Sequence, residues 1–259
     1  MKLGLEGKVA LISGGSAGMG REIARELAGE GVKVIVVARR EEPLRAVVAE
    51  IQADGGQAAY LVADMTRKAD ILRAGNFARE TFGDPDIALA NVRPANRYSF
   101  EDTTDEDFQQ SYEAIIMSIV HLVRDLTPAM KAKKWGRILS LGSVCMKEPH
   151  RFYNLVLSNT FRVGTLGLHR SLSNELAPFG VTVNAIAPGH IATEAYVETK
   201  SAGVASARPQ VEEEPRIPMG RPGTAGEIAG LSVFLCSDRA SYITGQTISI
   251  DGGYTRGLF

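Results

Sequence analysis

The sequence predicts an α/β fold: a doubly wound parallel sheet of seven strands in a single domain. Short apolar segments alternate along the chain with longer segments of helical periodicity, the order that places helices on both faces of a parallel sheet. Residues 34–37 are all valine or isoleucine, as expected for a strand covered on both faces. The length of 259 residues suits one large domain, so we treat 1–259 as one unit.

Seven segments are predicted as strands because each is short, apolar and bounded by polar or turn-forming residues. In chain order they are Lys8–Ser13, Val32–Ala38, Ala58–Asp64, Asp86–Asn91, Arg137–Ser143, Val181–Pro188 and Gln246–Asp251.

Three of the predicted helices have limits that the sequence indicates. Arg21–Glu30 follows a glycine-rich turn, and Leu44–Asp54 follows a proline and stops before two glycines. Phe108–Lys133 carries two apolar stripes. A helix that is apolar on two sides is expected to pack on the sheet with one and on a second subunit with the other. The stripes are Phe108, Tyr112, Ile115, Ile119, Leu122 and Leu126, then Ile116, Val120 and Val123.

Composition excludes several classes of function. The 29 basic and 30 acidic residues give a net charge of −1, which offers no electrostatic basis for binding nucleic acid. Residues 1–9 do not form a signal peptide, and no segment approaches the ~20 apolar residues of a membrane span. Cys145 and Cys236 fit neither a disulfide framework nor a metal site, so we expect reduced thiols in a cytoplasmic protein. Residues 191–219 are irregular and predict either a lid beside a cleft or a solvated surface excursion.

The most informative motif lies at the end of the first predicted strand. Gly14, Gly18 and Gly20 leave room for a phosphate to approach bare backbone. The helix that follows would direct its N-terminal N–H groups and the positive end of its dipole at that phosphate. A glycine cluster alone is most often just a turn, but strand, glycine turn and helix in this order predict a dinucleotide site.

Six motifs together resemble the short-chain dehydrogenase/reductase family, closest to its ketoacyl-carrier-protein reductase-like branch, over nearly the whole chain. The resemblance implies a Rossmann fold and an oxidoreductase acting on a small-molecule carbonyl or alcohol. It also implies a homo-oligomer, a dimer or tetramer, because Phe108–Lys133 and Gln246–Asp251 resemble the family's subunit interfaces. The motifs are residues 13–20, 62–66, 136–143, 184–189, 220–229 and 242–254.

We predict NADP rather than NAD as the cofactor. An acidic residue at the end of the second strand would bind the ribose of NAD and repel a 2′-phosphate, but Ala38 and Arg39 stand there. A guanidinium matches phosphate geometry; alternatively, Arg39 and Arg40 are two exposed residues that begin a helix. The resemblance implies that Asp64 binds the adenine amino group and Thr193 the nicotinamide amide. The full predicted cofactor set is Gly14, Ser16, Gly18, Met19, Gly20, Arg39, Arg40, Asp64, Asn91, Arg162, Pro188, Gly189, Ile191 and Thr193.

The sequence departs from the family at the reaction centre. Of the family's serine, tyrosine, lysine and asparagine, only the serine is kept, as Ser143; Ser158, Arg162 and Ile115 occupy the other three positions. A glycine after the fourth strand is replaced by Arg93. Serine has no useful acidity without a neighbouring base, and arginine keeps its proton. Arg162 would retain the binding part of the lysine's role, but the proton-transfer part has no obvious holder.

Several residues are candidates for that role. Tyr153 precedes the same helix, and it is either a proton donor or a packing aromatic. His150, His190 and Tyr98 are further candidates; the two histidines have an alternative interpretation as surface residues, and the spacing of the histidines supports no metal site. Ser158 and Asn159 have an alternative interpretation as a helix cap, and Cys145 is predicted to be a small buried residue. The predicted catalytic set is Ser143, Tyr153, Ser158 and Arg162.

Three functions stay open on the sequence alone. The first is an NADP-dependent carbonyl reductase or alcohol dehydrogenase with a nonstandard proton path. The second is a lyase, isomerase or dehydratase on the same scaffold, since the lost residues suit chemistry without net hydride transfer. The third is a nucleotide-binding protein without catalysis.

Overall fold

The fold is a single parallel sheet of seven strands in the order β3-β2-β1-β4-β5-β6-β7. The computed structural model describes residues 2–92, 99–149, 155–194 and 217–257. This Rossmann-type, doubly wound architecture confirms the predicted fold class. The strands are β1 Val9–Ser13, β2 Lys33–Ala38, β3 Gln57–Val62, β4 Ile87–Ala90, β5 Gly136–Leu141, β6 Val181–Pro188 and β7 Thr247–Ile250.

All seven predicted strands are present, and the corrections concern their ends. β3 and β5 stop at Val62 and Leu141, before the predicted ends Asp64 and Ser143. The physical reason is local in both cases. The Asp64 side chain accepts from the backbone N–H of Thr66 at 3.0 Å, and Ser143 begins a short 3₁₀ turn. Both polar side chains therefore lie just beyond the strand ends, where ligands bind in such sheets.

Seven α-helices flank the sheet in the described parts of the chain. α1 and α2 each begin three residues before their predicted starts. In α2 the additional residues include Pro43, which the first turn of a helix tolerates. The helices are α1 Gly18–Gly29, α2 Glu41–Ala53, α3 Lys68–Thr81, α4 Asp105–Tyr112, α5 Ser118–Lys133, α6 Val156–Leu176 and α7 Ala225–Cys236.

The single long helix predicted over Phe108–Lys133 is wrong in two respects. It begins at Asp105, where Thr104 and Asp107 form a capping box. It is also interrupted by a π-helical turn at Glu113–Met117, which separates α4 from α5. Such turns are frequent at functional sites, and this one carries Ile115.

Two apolar clusters hold the layers together, one on each face of the sheet. In β1, Ala10 and Ile12 contribute to one cluster and Leu11 to the other. Helices α1, α2 and α7 cover the first face, and α3 and α5 cover the second. Burial on both faces explains why the strands are apolar without alternation. No helix within the described ranges is both long and apolar enough to cross a bilayer.

Candidate active site

The glycine turn between β1 and α1 is fixed by backbone contacts. Gly14 and Gly18 have φ of +66° and +54°, a region that glycine adopts without steric cost. A Cβ on Gly20 would overlap the carbonyl oxygen of Gly14, and a Cβ on Gly14 would overlap that of Asn91. The sequence predicted these glycines as room for a phosphate. The structure adds a second reason for them, which is that the turn itself has no space for side chains.

Helix α1 begins without a side-chain cap. Its N-cap residue is Ala17, and its first turn contains no acidic residue. By contrast, α4 and α7 each begin with a capping box, Thr104–Asp107 and Thr224–Glu227. The first N–H groups of α1 therefore have no side-chain acceptor among the described residues, the condition under which a helix N-terminus binds an anion.

The turn lies at the point where the strand order reverses, between β1 and β4. Asn91, just after β4, donates from Nδ2 to the carbonyl oxygen of Gly14 at 3.3 Å. Thr193 lies on the opposite side of the turn, since a Cβ on Gly18 would be 3.3 Å from its methyl group. Sheets of this type bind ligands in the crevice at such a switch point. Ser16 and Met19 are partly buried in the same turn.

Arg39 and Arg40 follow β2 at the same edge and are exposed. Neither forms an ion pair with another described residue. The next residue, Glu41, is held by two groups at its Oε1 atom: Arg45 Nη2 at 2.7 Å and Tyr60 Oη at 3.0 Å. The hydrogen bond from Arg45, and then that from Tyr60, lowers the pKa of Glu41. The carboxylate directly adjacent to Arg40 is thus already engaged by other groups.

Asp64 and the end of β6 complete this edge of the sheet. The Asp64 carboxylate accepts from the hydroxyl of Thr66 at 2.8 Å. Gly189 is packed so closely on Asp251 that a Cβ would lie 2.7 Å from it. Beyond Pro188, Ile191 pairs with Gly223 as an isolated bridge. The structure thus brings the predicted cofactor residues to one edge.

Ser143 lies immediately past β5 as the N-cap of the 3₁₀ turn Val144–Met146. Its Oγ accepts from the backbone N–H of Cys145 at 3.4 Å, a long hydrogen bond. A hydroxyl that accepts from backbone keeps its own proton for another acceptor. Cys145 is 1% exposed, which confirms its interpretation as a small buried residue.

Ser158 and Arg162 form a buried pair on α6. Arg162 donates from Nε to Ser158 Oγ at 3.1 Å and from Nη1 to the carbonyl oxygen of Leu141 at 3.2 Å. The alternative in which Ser158 and Asn159 cap the helix is wrong, because the N-cap is Leu155 and Ser158 lies inside the first turn. Each side chain of the pair is 9% exposed. The guanidinium therefore ties α6 to the end of β5.

The other predicted residues either lie outside the described ranges or do not contact the pair of Ser158 and Arg162. Tyr153, His150, Tyr98 and Arg93 lie outside the described residues, as does most of the predicted lid at 191–219. His190 packs edge-on against Tyr254, with ring centroids 4.9 Å apart. The described part of the chain contains no cluster of three or more side chains able to hold a metal ion.

Comparisons with known proteins agree with this architecture. The family model described as Enoyl-(Acyl carrier protein) reductase matches residues 14–255. The 3-oxoacyl-(acyl-carrier-protein) reductase FabG of Escherichia coli is 34% identical over 256 residues, 97% of this chain and 98% of that protein. The chain belongs to the short-chain dehydrogenase/reductase family. This places it among oxidoreductases.

Two solved structures of this family superpose closely. L-sorbose reductase from Gluconobacter frateurii, complexed with NADPH and L-sorbose, has a TM-score of 0.91 and 29% identity, with 100% of both chains covered. YwfH, an NADPH-dependent reductase involved in bacilysin biosynthesis, has a TM-score of 0.89 and 27% identity, covering 97% of this chain and 99% of its own.

This family member has a polar stripe on α6 that sequence reasoning missed. After Arg162, the buried polar positions of the helix are Thr165, His169 and Ser173, exposed by 3%, 1% and 4%. His169 Nε2 lies 2.9 Å from Ser140 Oγ of β5, and burial lowers the pKa of His169 to about 4. The available signal was the spacing, since polar residues recurring every three or four positions share one helix face.

Proposed function

We propose that the protein is an NADP-dependent oxidoreductase that interconverts a small-molecule ketone and alcohol. The observation that carries this proposal is the pair Arg39 and Arg40, exposed at the end of β2 and without an acidic partner among the described residues. Two guanidinium groups beside the glycine turn suit a 2′-phosphate, which planar donors bind with two hydrogen bonds. The NADPH-bound sorbose reductase adds support, because it shares this fold over its full length.

The residues present fit such a cofactor. The uncapped start of α1 would hold the pyrophosphate, since its N–H groups have no side-chain acceptor and Gly14 and Gly20 admit no Cβ. Asp64 would bind the adenine amino group, and Asn91, which donates to the carbonyl oxygen of Gly14, would contribute to holding the cofactor at the end of β4. We assign the turn residues Ser16, Gly18 and Met19, and Pro188, Gly189, Ile191 and Thr193 after β6, to the remaining cofactor contacts. The cofactor itself would supply hydride transfer.

Ser143 and Arg162 are the residues that we assign to the reacting end. The Ser143 hydroxyl already accepts from backbone, so its proton is directed to another acceptor, here the substrate oxygen. Arg162 would contribute positive charge near that oxygen and donate to the ribose. Ser158 accepts from Arg162 and holds the guanidinium in place. Tyr153 or a water molecule would move the proton.

The cofactor proposal is tested by titration. Fluorescence titration of the wild-type protein is expected to give tighter binding of NADPH than of NADH. Arg39→Ala with Arg40→Ala is expected to weaken NADPH binding by about tenfold or more, because charge-assisted hydrogen bonds to phosphate are lost. Arg239→Ala is the control, because Arg239 is an exposed arginine that follows the end of α7. Equal affinity for the two nucleotides would remove the argument.

The reaction is tested by steady-state oxidation of NADPH over a panel of ketones and ketoacyl thioesters. Ser143→Ala is expected to lower kcat by about 100-fold, as loss of one donor to a developing oxyanion does in other enzymes. An unchanged rate in this variant would show that Ser143 has no such role.

A second candidate is nucleotide binding without hydride transfer. The observation that favours it is the burial of Ser158, whose hydroxyl is bonded to Arg162 inside the helix rather than presented at the surface. Thermal stabilisation by NADPH without turnover would select a silent binding protein. Turnover without any change in nicotinamide absorbance would select a lyase, isomerase or dehydratase.

We also propose a homo-oligomer in the cytoplasm. Phe161 of α6 packs against Phe108 and Tyr112 of α4, and Tyr112 and the neighbouring Val163 are 37% and 44% exposed. Apolar groups on the outer faces of two adjacent helices suit contact with a second copy. Both cysteines are buried free thiols, which fits a reducing compartment. Light scattering that gives the mass of one chain would reject the oligomer.

A further inference from the structure

A small cavity lies between the end of β5, the π-helical turn and α6. Its volume is about 20 Å³, which is room for one water molecule. Three residues with hydroxyl groups line it, Ser118, Ser140 and Thr165, together with Arg162. Much of the remaining wall is apolar and includes Ile115.

Two of the three hydroxyl groups have already used their protons. Ser118 Oγ donates to the carbonyl oxygen of Ala114 at 2.6 Å, and Thr165 Oγ1 donates to that of Arg162 at 2.6 Å. A hydroxyl has one proton and two lone pairs. Ser118 and Thr165 therefore offer only acceptors to the cavity.

The third hydroxyl, Ser140, is controlled by His169. Burial keeps the imidazole neutral at neutral pH, so only one ring nitrogen carries a proton. Nδ1 is buried and has no hydrogen-bond partner. A buried N–H without an acceptor is rarer and costlier than an unused lone pair, so the proton belongs on Nε2. Nε2 then donates to Ser140 Oγ at 2.9 Å.

This arrangement leaves the Ser140 proton to be donated elsewhere. Among the described residues, Ser140 Oγ has no partner besides His169, and Ser140 lines the cavity. The cavity is thus bounded by one hydroxyl donor and two hydroxyl acceptors. A buried water typically makes about three hydrogen bonds, which matches this set.

We propose that the cavity binds one water molecule, which accepts from Ser140 and donates to Ser118 and Thr165, and that His169 is the positioning residue that sets these directions. The water lies beside the Arg162 guanidinium, on a wall that also contains Ile115. Because isoleucine has no polar atom in its side chain, the side chain of residue 115 takes no part in holding this water. The water fills the space beside Arg162 and supports the guanidinium.

The first test needs no cofactor. In ¹⁵N-labelled protein, long-range ¹H–¹⁵N correlation spectra are expected to show His169 neutral and protonated at Nε2; His169→Gln identifies its signals. A high-resolution crystal structure is expected to show one water within hydrogen-bond distance of Ser118, Ser140 and Thr165. A proton on Nδ1 would overturn the role of His169, and an empty cavity would overturn the water site.

The second test measures what the water does for the site, and it rests on the proposed NADP function. Thr165→Val keeps the shape of the side chain but removes an acceptor, so the water density is expected to disappear and the Kd for NADPH to rise about threefold to tenfold. Thr165→Ser is expected to restore both. Thr182→Val, a buried threonine of β6 that does not line the cavity, is the matched control.

The outcomes separate the two proposals. Loss of the water in Thr165→Val with unchanged NADPH affinity would overturn the link to Arg162. If the wild-type protein binds no NADPH, the proposed function fails, whereas the tautomer and the water density still decide the water site. Should Thr165→Val not fold, Ser118→Ala removes the other acceptor and is read by the same two measurements.

Discussion

The glycine turn and the α6 region lie at the same edge of the sheet but are held in different ways. At the turn, backbone atoms touch backbone atoms: Gly20 meets the carbonyl oxygen of Gly14, and Gly14 meets that of Asn91. On α6, side chains hold side chains, as in the pair of Ser158 and Arg162. A region limited by backbone contacts admits one residue type, whereas a region built from paired side chains can change if both partners change.

We propose that Ser158 and Arg162 occupy the catalytic positions of the family, and this difference explains how such a pair could be accommodated without loss of the fold. A buried guanidinium without partners would cost several kcal/mol. Here Arg162 donates from Nε to Ser158 and from Nη1 to the Leu141 carbonyl, so the buried guanidinium has acceptors. The side chains of Ser158 and Arg162 therefore support each other.

The largest effect is expected from the backbone-limited region. In Gly20→Ala the new methyl group would overlap Gly14, so the turn must move. We expect about 1–3 kcal/mol lower stability and NADPH binding weakened by about 100-fold or more, the scale of an ångström-sized displacement. Thermal unfolding and fluorescence titration measure the two quantities.

Gly29→Ala at the other end of α1 is the matched control. Gly29 is exposed and has open space around its Cβ position, so this variant is expected to bind NADPH normally and to gain up to about 1 kcal/mol from helix propensity. Normal NADPH binding by Gly20→Ala would show that the turn is less constrained than its contacts indicate.

In the α6 region, by contrast, substitutions are expected to raise the rate of the reaction. Ser158→Tyr combined with Arg162→Lys restores an acid and a titratable partner, and positioned acids contribute about 10²–10⁴ in rate. We expect NADPH oxidation with a ketone substrate to rise by about 10-fold to 100-fold, because Ile115 still differs from the family pattern. Steady-state kinetics measure the gain, and Arg162→Lys alone is expected to give none.

Ser171→Tyr with Arg170→Lys, on the exposed face of the same helix, controls for unspecific effects of the two substitutions. A doubly restored variant that folds and binds NADPH but turns over no faster would show that the missing acid does not limit the reaction.

His169 gives the α6 region a pH dependence of stability. Burial lowers its pKa from 6.5 to about 4, so between these values the unfolded chain binds a proton that the folded chain does not. The stability that neutral His169 contributes to the folded protein is complete above about pH 6.5 and is lost as the pH falls toward 4. We expect this residue to lower the free energy of unfolding by about 2 kcal/mol at pH 5 relative to pH 7.

Urea unfolding at the two pH values measures this difference. His169→Gln has no titrating ring, so the drop between pH 7 and pH 5 is expected to shrink, whatever the variant's stability at pH 7. His121→Gln, at a partly buried ring on α5, is expected to keep most of the drop. An unchanged drop in His169→Gln would mean that the imidazole is protonated in the folded state.

The fold was predictable because its signals are redundant. β2 is buried on both faces, so its unbroken apolar run allowed a strand of the right type to be placed within one residue of its start. The geometry of the glycine turn was predictable because its motif is made of backbone, as at Gly14 to Gly20. The helix start at Val156 and the π-helical turn depend on contacts distant in sequence, so Ser158 was open to misinterpretation as a cap. The spacing of polar residues places His169 on the Arg162 face of α6, but its partner Ser140 lies 29 positions away and could not be read from the local sequence.

The smallest expected effect concerns Arg39 and Arg40, the arginines that follow β2. Glu41 is the first residue of α2 and the neighbour of Arg40, so its charge would compete with a 2′-phosphate for the guanidinium groups. Arg45 and Tyr60 hold its carboxylate at 2.7 and 3.0 Å. Arg45→Met with Tyr60→Phe releases it, and an exposed pair of this kind is weak because water screens its charges. We therefore expect the preference for NADPH over NADH to fall about twofold to fivefold in fluorescence titrations.

Charge rather than shape should account for this loss of preference. Adding Glu41→Gln to the same two substitutions removes the competing carboxylate and is expected to restore the NADPH preference. High salt should likewise reduce the difference between the variants, because exposed charges are screened over a few ångströms. If the preference falls in the double variant and Glu41→Gln does not restore it, Tyr60 and Arg45 act through the position of α2 and not through the carboxylate they hold.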